Sequence, residues 1–217
     1  MAEEKSIEKV CGCKSPAQFD FVFMHGLTGD SIATWTYAEN GFSTYWPKWL
    51  CEDFPDTAVY TLGYQAGYFQ KWAKQETNLH ERAEIILEDL ATHGIGQRPL
   101  AFVTHSLGGL LAKEVLRVAS DCQDDDWKAV GTSTRLVCFL GTPHTGASLA
   151  GLAKALIPRL ASSHIDALSN DSGYLTALNK SYRDLASKQG FSTLAYYEKH
   201  KLQNMAIVVT AKVPILV

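Results

Sequence analysis

Leu100-Ala101-Phe102-Val103-Thr104-His105-Ser106-Leu107-Gly108-Gly109 decides how the rest of the chain is read. The apolar run 100–103 has the character of a buried strand. The residues beyond it, with Leu111, Val115 and Val118 on one face, follow a helical period. The segment is expected to run strand, sharp turn, helix, with Ser106 at the apex. Such a turn lifts a serine hydroxyl above the sheet edge while its neighbours drop away, and glycines at +2 and +3 remove side chains that would hold the helix off the strand. Thr104 stands where the pattern G-x-S-x-G has its first glycine, so the strand before and the helix after the serine carry much of the reading.

Working outward, Phe19 to Met24 reads as a strand rich in aromatic and β-branched residues that runs into the glycine loop His25-Gly26-Leu27-Thr28-Gly29. An activated serine needs two N–H groups aimed at the oxyanion, one from the residue after it and one from a loop after an earlier strand, which points to Leu107 and Leu27. The His25 side chain is expected to be hydrogen-bonded within its own loop. Residues 31–56 read as a loop and then a helix packed on the sheet through tryptophans. Ala58 to Leu62 is a strand, and Thr77 to Ala91 an amphipathic helix stopped by Gly94 and Gly96. Asp121 to Asp126 reads as an acidic solvent-facing loop. Arg135 to Leu140 is a strand ending in Gly141-Thr142-Pro143-His144. Residues 147–190 hold helices at 149–160 and 174–187, an insertion placed to cover the serine as a cap or to serve as an ordinary crossover. Strands at 191–197 and 205–209 close the pattern. Alternating strands and helices, with glycine loops after the strands, argue for an α/β fold with a mainly parallel sheet and a site along one edge.

The chain has 217 residues, 46% of them hydrophobic and 20% charged, enough for one domain with a real core. Its net charge of −3 leaves no basic footprint for nucleic acid. No apolar run approaches the ~20 residues of a spanning helix. The N-terminus is acid-bearing and lacks a secretory apolar core, so a cytoplasmic protein is expected. Cys11, Cys13, Cys51, Cys122 and Cys138 are scattered, without a C-x-x-C pair or histidines at ligand spacing. They are expected to be reduced thiols, with no metal site and no cofactor. Residues 1–17 are expected to be a flexible leader and 18–217 the domain.

Four blocks in order, Phe21 to Gly29, Thr104 to Gly109, Phe139 to His144 and Ala195 to Glu198, resemble the α/β-hydrolase superfamily. They are most similar to its lipase and esterase-like branch, which includes serine-active-site proteins of phospholipid remodelling, glycolipid-anchor deacylases and the N-terminal hydrolase domains of NACHT- or repeat-containing immune proteins. The resemblance implies an α/β-hydrolase fold, Ser106 as nucleophile and a carboxylate after the strand that follows the insertion. Glu198 stands at that place, and Asp166, Asp171 and Asp184 are lesser candidates. Gly26, His25, His105 and His144 are expected to line the site. The superfamily's histidine follows the final strand, and none occurs after His200, which precedes that strand. The resemblance therefore implies a chain cut off before its general base, or a hydrolase fold without catalysis. His144 or His25 as an unusual base is the remaining option. The expected partner is an ester or lipid substrate, with further domains C-terminal to these residues.

Overall fold

In the computed structural model the described residues are 7–11, 16–26, 29–64, 77–144, 172–198 and 209–213. In chain order they form β1 (Ile7–Cys11), β2 (Phe19–Met24), β3 (Thr36–Glu39), β4 (Phe42–Tyr45), α1 (Trp46–Asp53), β5 (Thr57–Leu62), α2 (Thr77–Thr92), β6 (Leu100–His105), α3 (Gly108–Asp121), α4 (Asp125–Ser133), β7 (Thr134–Leu140), α5 (Ser172–Gln189), β8 (Ser192–Glu198) and β9 (Val209–Val213). Seven strands make one sheet in the order β1-β5-β2-β6-β7-β8-β9. The five inner strands are parallel, and β1 and β9 add antiparallel edges.

Parallel strands covered on both faces need near-continuous apolar runs, which is what β5 and β6 carry. Val22, Met24, Phe102, Val137 and Phe139 face a large core closed by Leu87 and Leu90 of α2, Leu111 and Val115 of α3, Val130 of α4, and Leu178 and Tyr182 of α5. Phe23, Val59, Val103 and Cys138 face the other way onto Trp35, with Trp46 and Leu50 of α1 packed alongside. The tryptophans at 35 and 46 meet Phe23 edge-on at 5.0 and 5.5 Å; Trp35 is core and Trp46 packs half-buried against it, whereas Trp49, expected in the same cluster, is exposed on α1. At the sheet's far edge, Asp20 is fully buried and takes two hydrogen bonds on Oδ1 from Arg98, at 3.1 and 2.9 Å.

Several expectations are corrected. Residues 7–11, read as part of a flexible leader, form β1, which pairs with β5 from Ile7 opposite Leu62 to Cys11 opposite Val59. The sheet thereby gains a strand where a bare edge would stand. The same pairing brings Cys11 to α1, with Cα atoms 6.3 Å apart, and Cys11 is disulfide-bonded to Cys51 instead of being a free thiol. The last strand is Val209–Val213 and antiparallel to β8. The strand expected at 205–209 falls mostly outside the described residues. Residues 36–45 form a hairpin, turning through Asn40 and Gly41 at φ values of 51° and 80°. The acidic stretch faces solvent as expected, but only its middle is loop: Asp121 ends α3, and Asp125 and Asp126 open α4, where Asp124 accepts from the Trp127 N–H as an N-cap. Of the expected 147–190 insertion, α5 lies against α3 on the helical face of the sheet. The helix expected at 149–160 lies outside the described residues.

Candidate active site

β6 is the middle strand of the sheet, flanked by β2 and β7, and the register aligns Met24 with Thr104 and His105 with Leu140. The loops leaving β2, β6 and β7 therefore emerge together at one edge, the usual place for a site in an open parallel sheet. Ser106 is the turn between β6 and α3. Its φ is 54°, left-handed, a region that side chains other than Asn and Asp rarely adopt. Its N–H donates to the Leu140 carbonyl at 2.8 Å. Its Oγ is buried and has no hydrogen-bond partner among the described residues.

Glycines make the approach possible. A Cβ on Gly26 would lie 2.6 Å from Ser106 Cβ and 3.1 Å from its Oγ, so the β2 loop backbone rests directly on the serine. A Cβ on Gly108 would lie 2.3 Å from the His25 carbonyl oxygen, and one on Gly109 would lie 2.1 Å from Thr142 Oγ1. The two glycines after the serine thus let α3 touch the β2 loop and the β7 loop at once. α3 begins with no side-chain cap and no acidic residue in its first turn, so its first N–H groups face the site edge with the positive end of the helix dipole. Leu107, 3% exposed, is the residue at that end. Leu27 lies outside the described residues, between Gly26 and Gly29, whose own N–H donates to the Gly26 carbonyl at 3.3 Å.

The histidines separate by environment. His25 is buried; its Nδ1 bonds the Gly26 carbonyl at 2.9 Å, its Nε2 accepts from the Tyr64 N–H at 3.4 Å, and its ring stacks on Tyr64 at 4.1 Å. That arrangement is structural, as expected for this side chain. His105 ends β6 and meets the edge of Trp35 at 6.3 Å, and burial with His25 nearby lowers its pKa. His144 meets the Lys113 amine through Nδ1 at 2.7 Å, and burial, with the Lys113 charge second, holds its pKa down to about 3. A ring so engaged is a poor base, which removes the ground for His144 in that role. The backbone of Glu198 is the last residue of β8, at the same sheet edge as the serine. Asp184 sits exposed on α5, away from that edge, and Asp166, Asp171 and His200 lie outside the described residues. Among the described residues there is no cluster of His, Cys, Asp or Glu able to hold a metal, and no helix long and apolar enough to cross a membrane.

Sequence reading passed over Lys113, which is 3% exposed on α3 with its amine among His144, Asn179, Phe139 and Tyr182. No local signal marks Lys113, because its partners His144 and Asn179 come from 31 and 66 residues along the chain. Tyr64, in the loop after β5 that the sequence places beside the site, donates through its hydroxyl to the His25 carbonyl.

The chain belongs to the family described as "Putative serine esterase (DUF676)", whose profile matches residues 19–193, and so to the serine hydrolases of the α/β-hydrolase superfamily. It is 29% identical over 209 residues to mouse protein SERAC1, covering 87% of this chain and 31% of that protein. With the human protein SERAC1 it shares 29% over 204 residues, 84% of this chain and 30% of the relative. The chain thus spans about a third of the length of the curated relatives it matches. Among solved structures, the Bacillus licheniformis lipase BlEst2 superposes with a TM-score of 0.48 at 18% identity, covering 87% of this chain and 70% of that one. The fold assignment rests on the strand order and the family match.

Proposed function

We propose that this chain is a carboxylic-ester hydrolase unit that works through an acyl-enzyme on Ser106. The observation that supports this best is the strained serine itself. A left-handed non-glycine residue costs on the order of 1–3 kcal/mol, and glycine would fill the turn without that strain. What glycine lacks is the hydroxyl, and here the hydroxyl is left without a partner among the described residues.

Ser106 Oγ attacks the ester carbonyl carbon and its proton passes to a general base. The base returns the proton to the departing alkoxide, and water then repeats the sequence on the acyl-enzyme to release the acid. The Leu107 N–H, at the uncapped start of α3, and the Leu27 N–H receive the oxyanion. Glu198 orients the base from the end of β8. The base itself is a histidine outside the described residues: His25 and His144 are bonded elsewhere, His105 packs on Trp35, and His80 and His93 bond Glu114 and the Asp89 carbonyl. This chemistry requires no metal or cofactor. Lipid-like esters are the favoured substrates, since the stretch after Gly29 exposes the apolar side chains of Ile32, Tyr37 and Phe42. The test is turnover of p-nitrophenyl esters of graded chain length. The rate should rise with acyl length, and Ser106→Ala should remove at least about 10³-fold of it. A variant that keeps its rate refutes the assignment.

A second reading has a specific motive in the same unpartnered hydroxyl and in relatives three times as long. It makes these residues a hydrolase unit completed or gated by further segments of a larger signalling or defence protein. Turnover in the full natural polypeptide but not in the 217 residues alone would favour it.

A further inference from the structure

Lys113 is buried, and among the described residues no carboxylate pairs with its amine. Its Nζ donates to His144 Nδ1 at 2.7 Å and to Asn179 Oδ1 at 2.5 Å, and it lies 4.9 and 5.3 Å from the ring centroids of Phe139 and Tyr182. Asn179 in turn donates through Nδ2 to the His144 carbonyl. An amine surrounded, among the described residues, by neutral acceptors and ring faces is a poor stability device, so its presence calls for another explanation.

The contacts of the β7 loop supply one. Leu140 accepts from the Ser106 N–H, Thr142 lies on Gly109, and His144 bonds Lys113. Gly109 and Lys113, four residues apart, lie on one face of α3, and Ser106 is the left-handed turn just ahead of that helix. The loop therefore runs from the serine backbone ahead of α3, along this face, to the lysine. Gly141 anchors its middle to β8 by donating to the Tyr196 carbonyl at 2.9 Å.

We infer that Lys113 is a positioning residue for Ser106: by clamping His144 and Asn179 it fixes the loop that holds the serine's backbone in its left-handed turn. This rests on the reading of Ser106 as nucleophile. The lysine touches neither substrate nor reacting atoms and acts through the loop. Because Lys113 donates to Nδ1, the His144 ring carries its proton on Nε2, and the clamp predicts that tautomer.

The test compares Lys113→Met, which keeps the aliphatic bulk, with Asn179→Leu, which removes the lysine's acceptor and the donor to the His144 carbonyl. Three quantities are read for each: amide exchange at Ser106 and Gly141, the rate of fluorophosphonate labelling at Ser106, and the melting temperature. The expected result is roughly 10-fold faster exchange at both amides and about 10–100-fold slower labelling in both variants, with Lys113→Met melting no lower than the wild type. Unchanged exchange, or unchanged labelling despite faster exchange, overturns the proposal. So does slower labelling that follows a lowered melting temperature in both variants, which would make the lysine merely structural. If the wild type is not labelled even in the full natural polypeptide, the nucleophile reading fails by itself, while the exchange rates still decide whether the clamp holds the turn.

Discussion

Gly26→Ala is the sharpest perturbation of the site, because its effect is set by space alone. The added methyl would lie 2.6 Å from Ser106 Cβ, 3.0 Å from the His105 carbonyl oxygen and 3.1 Å from Ser106 Oγ. The first is about 0.8 Å short of the 3.4 Å at which ordinary contact begins. Its partners are the serine and a strand-end carbonyl, neither of which is the far end of a flexible chain. Either the β2 loop lifts or the serine turns away, by something near 1 Å in both cases. Displacement on that scale costs on the order of 10²-fold in a positioned reaction, and the overpacking destabilises the fold by about 1–3 kcal/mol. The assay is the rate of fluorophosphonate adduct formation followed by intact mass, beside a thermal melt. Gly41→Ala is the control: it stands at φ 80° with nothing within 4 Å, so it should lower stability by about 1 kcal/mol and leave labelling unchanged. A Gly26→Ala protein labelled at the wild-type rate would refute the close approach of the β2 loop to the serine.

Cys51→Ser opens a loop of 40 residues and should cost up to about 4 kcal/mol in urea unfolding, with dithiothreitol producing the same loss in the wild type and none in the variant. Arg98→Met leaves the fully buried Asp20 carboxylate without its guanidinium, at a cost of about 3 kcal/mol near neutral pH. Burial already raises the Asp20 pKa against Arg98's pull, so the deficit should shrink on acidification as the carboxylate takes a proton; a deficit that grows would contradict the pairing. Burial, with Arg183 nearby, holds the Lys113 pKa down to about 7 from its ordinary 10.5. Between those values the unfolded chain binds more protons, so stability rises with pH through that window, by at most roughly 4–5 kcal/mol from this group. Lys113→Met should flatten that rise in pH-resolved unfolding, and an unchanged slope would place the titration elsewhere.

The central strand–turn–helix was legible because it is local: Phe102 and Val103 are buried, and Gly108 and Gly109 follow the serine at the positions where α3 must touch two loops. The hairpin and α4 carried local signals too, an Asn40-Gly41 pair between short strands and an Asp124 cap ahead of Asp125 and Asp126. What could not be read depends on partners far along the chain. β1 has an ordinary charged sequence, and only its pairing with β5 makes it a strand and brings Cys11 to Cys51. Lys113 looks like a surface residue of a helix until His144, 31 residues away, and Asn179, 66 away, are folded around it. Glu198 was placed at a strand end by the alternation of strands and helices, and its backbone stands there.

The most direct test of the account is to treat the full natural polypeptide containing these residues with a fluorophosphonate and map the adduct by peptide mass. A single adduct on Ser106, absent from Ser106→Ala, is the predicted result. An adduct on another residue, or one that persists in the variant, would contradict the claim that the left-handed serine between β6 and α3 is the nucleophile.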